Sequence, residues 1–132
     1  MYLVDTNVWL ERLLDQSKSE EVRKFLDDTP SERLFITDFS FHSIGVILEK
    51  LKQTDTFQNF VKDAFIDGAV VLLHLSPEDT LRIVQIIEKY NLDFDDAYQY
   101  TAAEKYKLTL ISFDSDFDLT ERGRKTPAEV QV

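Results

Sequence analysis

The chain has 132 residues, 43% of them hydrophobic and 30% charged, with a formal net charge of −10. These values describe one soluble globular domain, residues 1–132, with a single packed core. The lack of cysteine excludes a disulfide framework, a thiol nucleophile and a thiolate metal site, and the acidic balance excludes nucleic-acid binding by bulk electrostatics.

The N-terminus, "MYLVDTNVWL", has neither the basic region nor the apolar run of a signal peptide. No apolar stretch approaches the ~20 residues of a membrane span. A reducing, cytoplasmic setting is therefore expected, with no membrane association. "YLV" (2–4) reads as a first strand, and "DTNVWLERLLD" and "SEEVRKFLDD" as two helices behind it. "LFIT" (34–37) is a second strand. "DFSFHSIGVILEKLK" follows, with Phe41, Ile44, Leu48 and Leu51 on one helical stripe. "TDTFQNFVKDAFIDG" carries Phe57, Phe60, Val61, Ala64 and Phe65 in the same way and stops at Gly68. "VVLLHL" (70–75) is a third strand. "SPEDTLRIVQIIEKY" then starts a helix, with Ser76 as N-cap and Pro77 in the first turn. "DFDDAYQYTAAEKYK" is the last long helix and "LTLIS" (108–112) the fourth strand. The strands are short, continuous and β-branched, so they read as buried on both faces of a mainly parallel sheet. The fold class is α/β: a three-layer α/β/α sandwich around four to five strands.

In such a sheet, ligands bind beyond the C-terminal strand ends. Asp5 leaves the first strand, Asp38 the second, and Asp114 and Asp116 the fourth; Asp93, Asp95 and Asp96 open the helix before it. Each taken singly is a good cap or turn residue. Taken together they conflict: two unit charges ~4 Å apart repel by roughly 4 kcal/mol at an effective dielectric of 20. Capping returns only ~1 kcal/mol each. Convergence of Asp5, Asp96 and Asp114 would need either protonation or a divalent cation. All-oxygen donors favour Mg2+ or Mn2+ over zinc. His42 and His74 share no spacing for a zinc site.

These residues resemble the PIN domain family. "YLVDTNVWL" looks like its opening strand and Asp-Thr-Asn motif, and "DFDDAYQYTAAEKYKLTLISFDSDF" like its second half. The resemblance covers nearly the whole chain. It implies metal-binding roles for Asp5, Asp96 and Asp114, an accessory acid at Asp116, and supporting roles for Asn7 and Ser112. It also implies a glutamate early in the helix after the second strand, where this chain has Ser43. The substitutes at hand are Asp38, at the head of that helix, and Glu49, ~9 Å further along its axis.

The resemblance further implies a Mg2+- or Mn2+-dependent endoribonuclease, the toxin half of a toxin–antitoxin pair. A homodimer and an antitoxin partner come with it, and Arg122, Arg124 and Lys125 are the local cations offered to an RNA substrate. A short fifth strand is expected near them. The alternative is a PIN-fold binding module with a weakened metal site at Ser43, acting through protein partners, with Tyr98, Tyr100 and Trp9 as candidate contacts. A phosphoacceptor receiver domain shares the size and sheet type. It needs an acidic pair after the first strand and an Asp after the third, and the sequence supplies neither.

Overall fold

Tyr2–Val4 forms β1, Thr6–Leu13 α1 and Ser19–Asp28 α2 in a computed structural model that describes residues 1–130. Leu34–Thr37 is β2, followed by α3 (Asp38–Lys50) and α4 (Thr54–Val61). One π-helical turn, Lys62–Ile66, continues α4. β3 is Val71–Leu73, α5 Asp79–Tyr90, α6 Phe94–Tyr106 and β4 Thr109–Ile111. Gly68 ends the π-helical turn by close approach: a Cβ there would sit 2.6 Å from the Asp63 carbonyl oxygen and 2.7 Å from that of Ala64.

The four strands make one all-parallel sheet in the order β3-β2-β1-β4. Alternation along each strand sends side chains to two cores. Leu3 and Leu110 face α5 and α6, packing with Ile83, Ile86, Tyr100 and Phe117. Val4, Ile36 and Ile111 face α1 to α4, packing with Val8, Trp9, Val22, Phe25, Ile44, Leu48 and Phe60. The three-layer α/β/α architecture read from the sequence is therefore the one observed. Among the described residues, no helix is long and apolar enough to cross a membrane.

Four local expectations change. β3 is an edge strand, so Val71 and Leu72 are 40% and 49% exposed rather than buried on both faces. The apolar stripe of α3 ends at Leu48, because Leu51 lies beyond the last helical turn in solvent. α5 begins at Asp79, not beside Ser76. Ser76 and Asp79 instead exchange bonds across a turn, the Ser76 N–H to Asp79 Oδ2 (2.8 Å) and the Asp79 N–H to Ser76 Oγ (3.4 Å). The fifth strand is reduced to one parallel bridge between Ile111 and Lys125. The left-handed Gly123 (φ +63) turns the chain alongside β4 only for that step.

Register is what positions the site. Tyr2, Leu3 and Val4 pair with Thr109, Leu110 and Ile111, and the Asp5 N–H donates to the Ile111 carbonyl at 2.9 Å. β1 and β4 therefore end together, and Asp5 emerges beside Ser112. Phe117 then seats the 3-10 turn Ser115–Leu119 in the core, fully buried. Phe117→Ala should cost about 3–5 kcal/mol of stability, measured by urea denaturation of the metal-free protein; a cost under ~1 kcal/mol would mean the turn is not anchored there.

Candidate metal centre

Asp5 sits at the C-terminal end of the central strand β1 and is only 6% exposed. Burying a carboxylate is expensive unless its lone pairs are satisfied. Oδ1 accepts from the Thr6 N–H (2.8 Å) and from Gln99 Nε2 (2.9 Å), and Oδ2 accepts from Ser112 Oγ (2.7 Å). Burial still pushes the Asp5 pKa up; the bonds from Gln99, Ser112 and Thr6 pull the other way, and the nearby Asp114 adds to the rise.

The Asp5 partners are themselves fixed. Gln99 donates a second bond to Ser40 Oγ (2.7 Å) and accepts from Thr37 Oγ1 (2.8 Å). Thr6 Oγ1 also donates to Ser40 (2.7 Å), and the Ser40 N–H caps onto Thr37 Oγ1 (3.0 Å). One network thus joins β1, the end of β2, the start of α3 and α6. Ser112 Oγ accepts from the Asp114 N–H (3.0 Å) and from Asn7 Nδ2 (3.4 Å), and Asn7 Oδ1 accepts from the Phe113 N–H (3.2 Å). Asn7 and Ser112 therefore shape the turn that carries Asp114.

Beyond Asp5, one carboxylate oxygen from each of Asp96, Asp114 and Asp116 lies within 4.8 Å of the other two. Local geometry sets each one. Asp93 caps α6 by accepting from the Asp96 N–H (2.9 Å), and Asp114 caps the following 3-10 turn by accepting from the Asp116 N–H (2.9 Å). The caps leave Asp96 half-buried, facing Asp114. Its pKa is pushed up to about 8, first by burial, then by the charges of Asp114 and Asp93. Three carboxylates with oxygens within reach of one another match the hard-donor chemistry of Mg2+ or Mn2+. The residues fit such an ion. Of the four acids read from the sequence, Asp96, Asp114 and Asp116 form the close trio. Asp5 lines the cleft beside Asp96 and is near enough to Asp114 to feel its charge.

Ser43 lines the same cleft as Asp5, Asp96 and Gln99. Neither candidate substitute for the missing acid joins the trio. Asp38 is held on the rim, accepting from Tyr98 Oη (2.7 Å) and from the Phe39 N–H (2.8 Å), and Glu49 is exposed further along α3. The cations are also partly committed. Arg124 grips Asp118 with two bonds of 3.0 Å and the Ser112 carbonyl with a third, so Asp118 is an ion-pair partner rather than free surface charge. Arg122 donates to the Leu108 carbonyl (3.1 Å), at the end of β4 away from Asp114. Lys125 is exposed beside Ser112. Trp9 and Tyr100 are buried, 4% and 2% exposed, and cannot serve as surface contacts. Sequence reasoning missed Gln99, Ser40 and Thr37; a buried amide one helical turn after Asp96 was the available signal. A larger cavity, about 830 Å³ and lined by Trp9, Leu34, Phe60 and Val70, lies at the opposite ends of the strands from these carboxylates.

The Asp96 environment fixes a pH response. In the unfolded chain the carboxyl titrates at the ordinary 3.8, but folded and metal-free it holds its proton to about 8. The folded state therefore binds more protons across that window, so stability falls as pH rises from about 4 to 8 and then levels. Urea midpoints of chelator-treated protein at pH 5, 7 and 9 should show this fall, and Asp96→Asn should flatten it. A midpoint independent of pH in the parent protein would contradict the crowding of Asp96.

A PIN domain profile matches residues 2–123. No curated protein sequence matches the chain at a significant level. Among solved structures, the chain is similar to a toxin–antitoxin complex from Klebsiella pneumoniae, with a TM-score of 0.78, 23% identity, and coverage of 98% of this chain and 100% of that one. It is also similar to the structure of FitAB bound to an IR36 DNA fragment, with a TM-score of 0.84, 18% identity, and coverage of 100% and 99%. VapC20 of Mycobacterium tuberculosis, described as a sarcin–ricin loop cleaving toxin, gives 0.77 at 12% identity, covering 92% and 96%. With the profile spanning all but the last residues, and the acidic strand ends in the places the fold gives them, the chain belongs to the PIN domain family.

Proposed function

We propose that this protein is a Mg2+- or Mn2+-dependent endoribonuclease that hydrolyses RNA phosphodiester bonds, acting as the toxin half of a toxin–antitoxin pair. The observation that carries the reading is the convergence of Asp96, Asp114 and Asp116 at the strand ends, with buried Asp5 behind them. Asp5, Asp96 and Asp114 would hold the ion, with Asp116 completing its acidic surroundings. When bound, the cation acidifies the attacking water and offsets charge on the scissile phosphate. The chain's own residues do the positioning. Ser112 and Asn7 set the Asp114 turn, Asp93 sets Asp96, and Gln99 holds the Asp5 carboxylate so that its charge cannot swing into solvent. In-line attack by water leaves a 5′-phosphate and a 3′-hydroxyl, and no side chain serves as covalent nucleophile. Lys125 beside Ser112 is the local positive ground for an RNA backbone on an otherwise acidic protein, and Arg124 and Arg122, engaged with the chain itself, brace the loop that carries it. The toxin role and an antitoxin partner draw support from a toxin–antitoxin complex and a toxin of the same fold; a homodimer and a cytoplasmic setting belong to the same proposal.

The second reading, a PIN-fold binding module with a weakened metal site, is favoured by one observation: Ser43 stands where an acid is usual, and neither Asp38 nor Glu49 reaches the trio.

Cleavage of single-stranded RNA in Mn2+ should stop with chelator and fall on the order of 10²-fold or more in Asp114→Asn. Equal cleavage by parent and variant would assign the activity to a contaminant. Calorimetric titration with Mn2+ should show binding that weakens about 10- to 100-fold in Ser112→Ala, which removes a support rather than a ligand. No heat at millimolar metal would favour the binding module.

A further inference from the structure

The cleft beside the carboxylates is two-sided. Its volume is about 280 Å³. Asp96 and Gln99 stand on one side, and Leu10, Phe39 and Ile47 form an apolar wall on the other. Ser43, where a longer acid would project, leaves this apolar part open. Phe39 also begins a row of rings at the rim: Phe39 to Tyr98 is 5.6 Å between centroids, and Tyr98 to Phe94 is 6.4 Å. Phe94, at the first position of α6, is 48% exposed. Tyr98 is pinned through its hydroxyl, which donates to Asp38 (2.7 Å) and accepts from the Leu75 N–H (3.1 Å). Its ring therefore loses little freedom when something stacks on the row.

This surface suits a planar, uncharged group. The exposed carboxylates of Asp38, Asp93 and Asp95 repel a phosphate at this rim, and a nucleobase is not repelled. Proteins that read single-stranded RNA splay bases out and stack them on aromatic rings. In a duplex both faces of a base are covered by its stacked neighbours, so only an unstacked base offers a free face to this wall and row of rings. On an acidic protein with few free cations near the site, stacking replaces much of the affinity that phosphate contacts usually supply.

We propose that the apolar wall of Leu10, Phe39 and Ile47, with the Phe39–Tyr98–Phe94 row at its rim, is a subsite for one unstacked nucleobase adjoining the cleaved phosphate. The subsite makes single-stranded RNA the bound form, and it rests on the nuclease reading above.

The test is fluorescence anisotropy with a labelled single-stranded octaribonucleotide in Ca2+, with cleavage followed in parallel in Mn2+. An octamer of the same backbone lacking its bases should bind about 5- to 100-fold more weakly. Phe94→Ala and Phe39→Leu should each weaken the base-bearing octamer toward the same range, Phe39→Leu because it keeps apolar bulk and loses the ring face. Tyr98→Phe keeps the ring but loses its pins to Asp38 and Leu75, and should weaken binding less than Phe94→Ala does. Circular dichroism melts show that each variant is folded, and the abasic comparison needs no variant. If the abasic octamer binds as well as the base-bearing one, or both ring variants bind like the parent, the subsite is wrong; intact Mn2+ cleavage in that case leaves the nuclease reading standing. If the parent protein neither binds nor cleaves the octamer, both fail.

Discussion

A carboxylate buried at the end of the central strand governs this structure. Asp5 has almost no contact with solvent, so its charge must be met by fixed donors. Those donors come from three directions: the Thr6 N–H at the head of α1, Gln99 from the middle of α6, and Ser112 from the end of β4. The requirement to satisfy one side chain therefore ties together elements more than 90 residues apart in the chain. It also explains why α6 buries a glutamine among alanines, Tyr100 and Thr101, and why Ser40 and Thr37 stand behind it with no access to solvent.

The second constraint is repulsion. The caps that shape α6 and the turn after β4 are aspartates, and they hold Asp96 and Asp114 at close quarters instead of letting them part. Capping contributes about 1 kcal/mol per site, less than the cost of two facing charges. The fold stores that conflict because hydrogen bonds and Phe117 fix both turns. A proton or a hard cation relieves it. Surface pairs such as Lys105 with Asp79 and Arg82 with Glu104 join α5 to α6 away from this cluster and add little stability.

Positive charge follows a different logic. Arg124 looks in the sequence like a free cation in a basic loop, yet its guanidinium is consumed by Asp118 and the Ser112 carbonyl. It braces the segment that carries the acids. Arg122 does the same for the start of β4. A run of cations tells where charge lies along the chain, but which side chains remain available depends on acceptors that folding brings near.

The order of strands and helices was legible because two periodicities alternate along the chain. The strand-end aspartates were legible because a parallel sheet brings its C-terminal ends to one side. Asp5, Asp96, Asp114 and Asp116 could all be picked out as candidates on that ground. Ser112 and Asn7 were placed through the family resemblance, and the structure bonds them to each other and to the same turn. The grouping was not legible. That Asp116 stands with Asp96 and Asp114, while Asp5 is held by Gln99, a partner 94 positions away, depends on cap geometry and on contacts between distant segments. Nor could sequence settle Asp38 or Glu49, since rotation and distance on a helix decide reach. Local chemistry determined the elements and the candidate acids. Only tertiary packing decided which oxygens share a space, because hydrogen bonds between distant segments set the direction of each carboxylate.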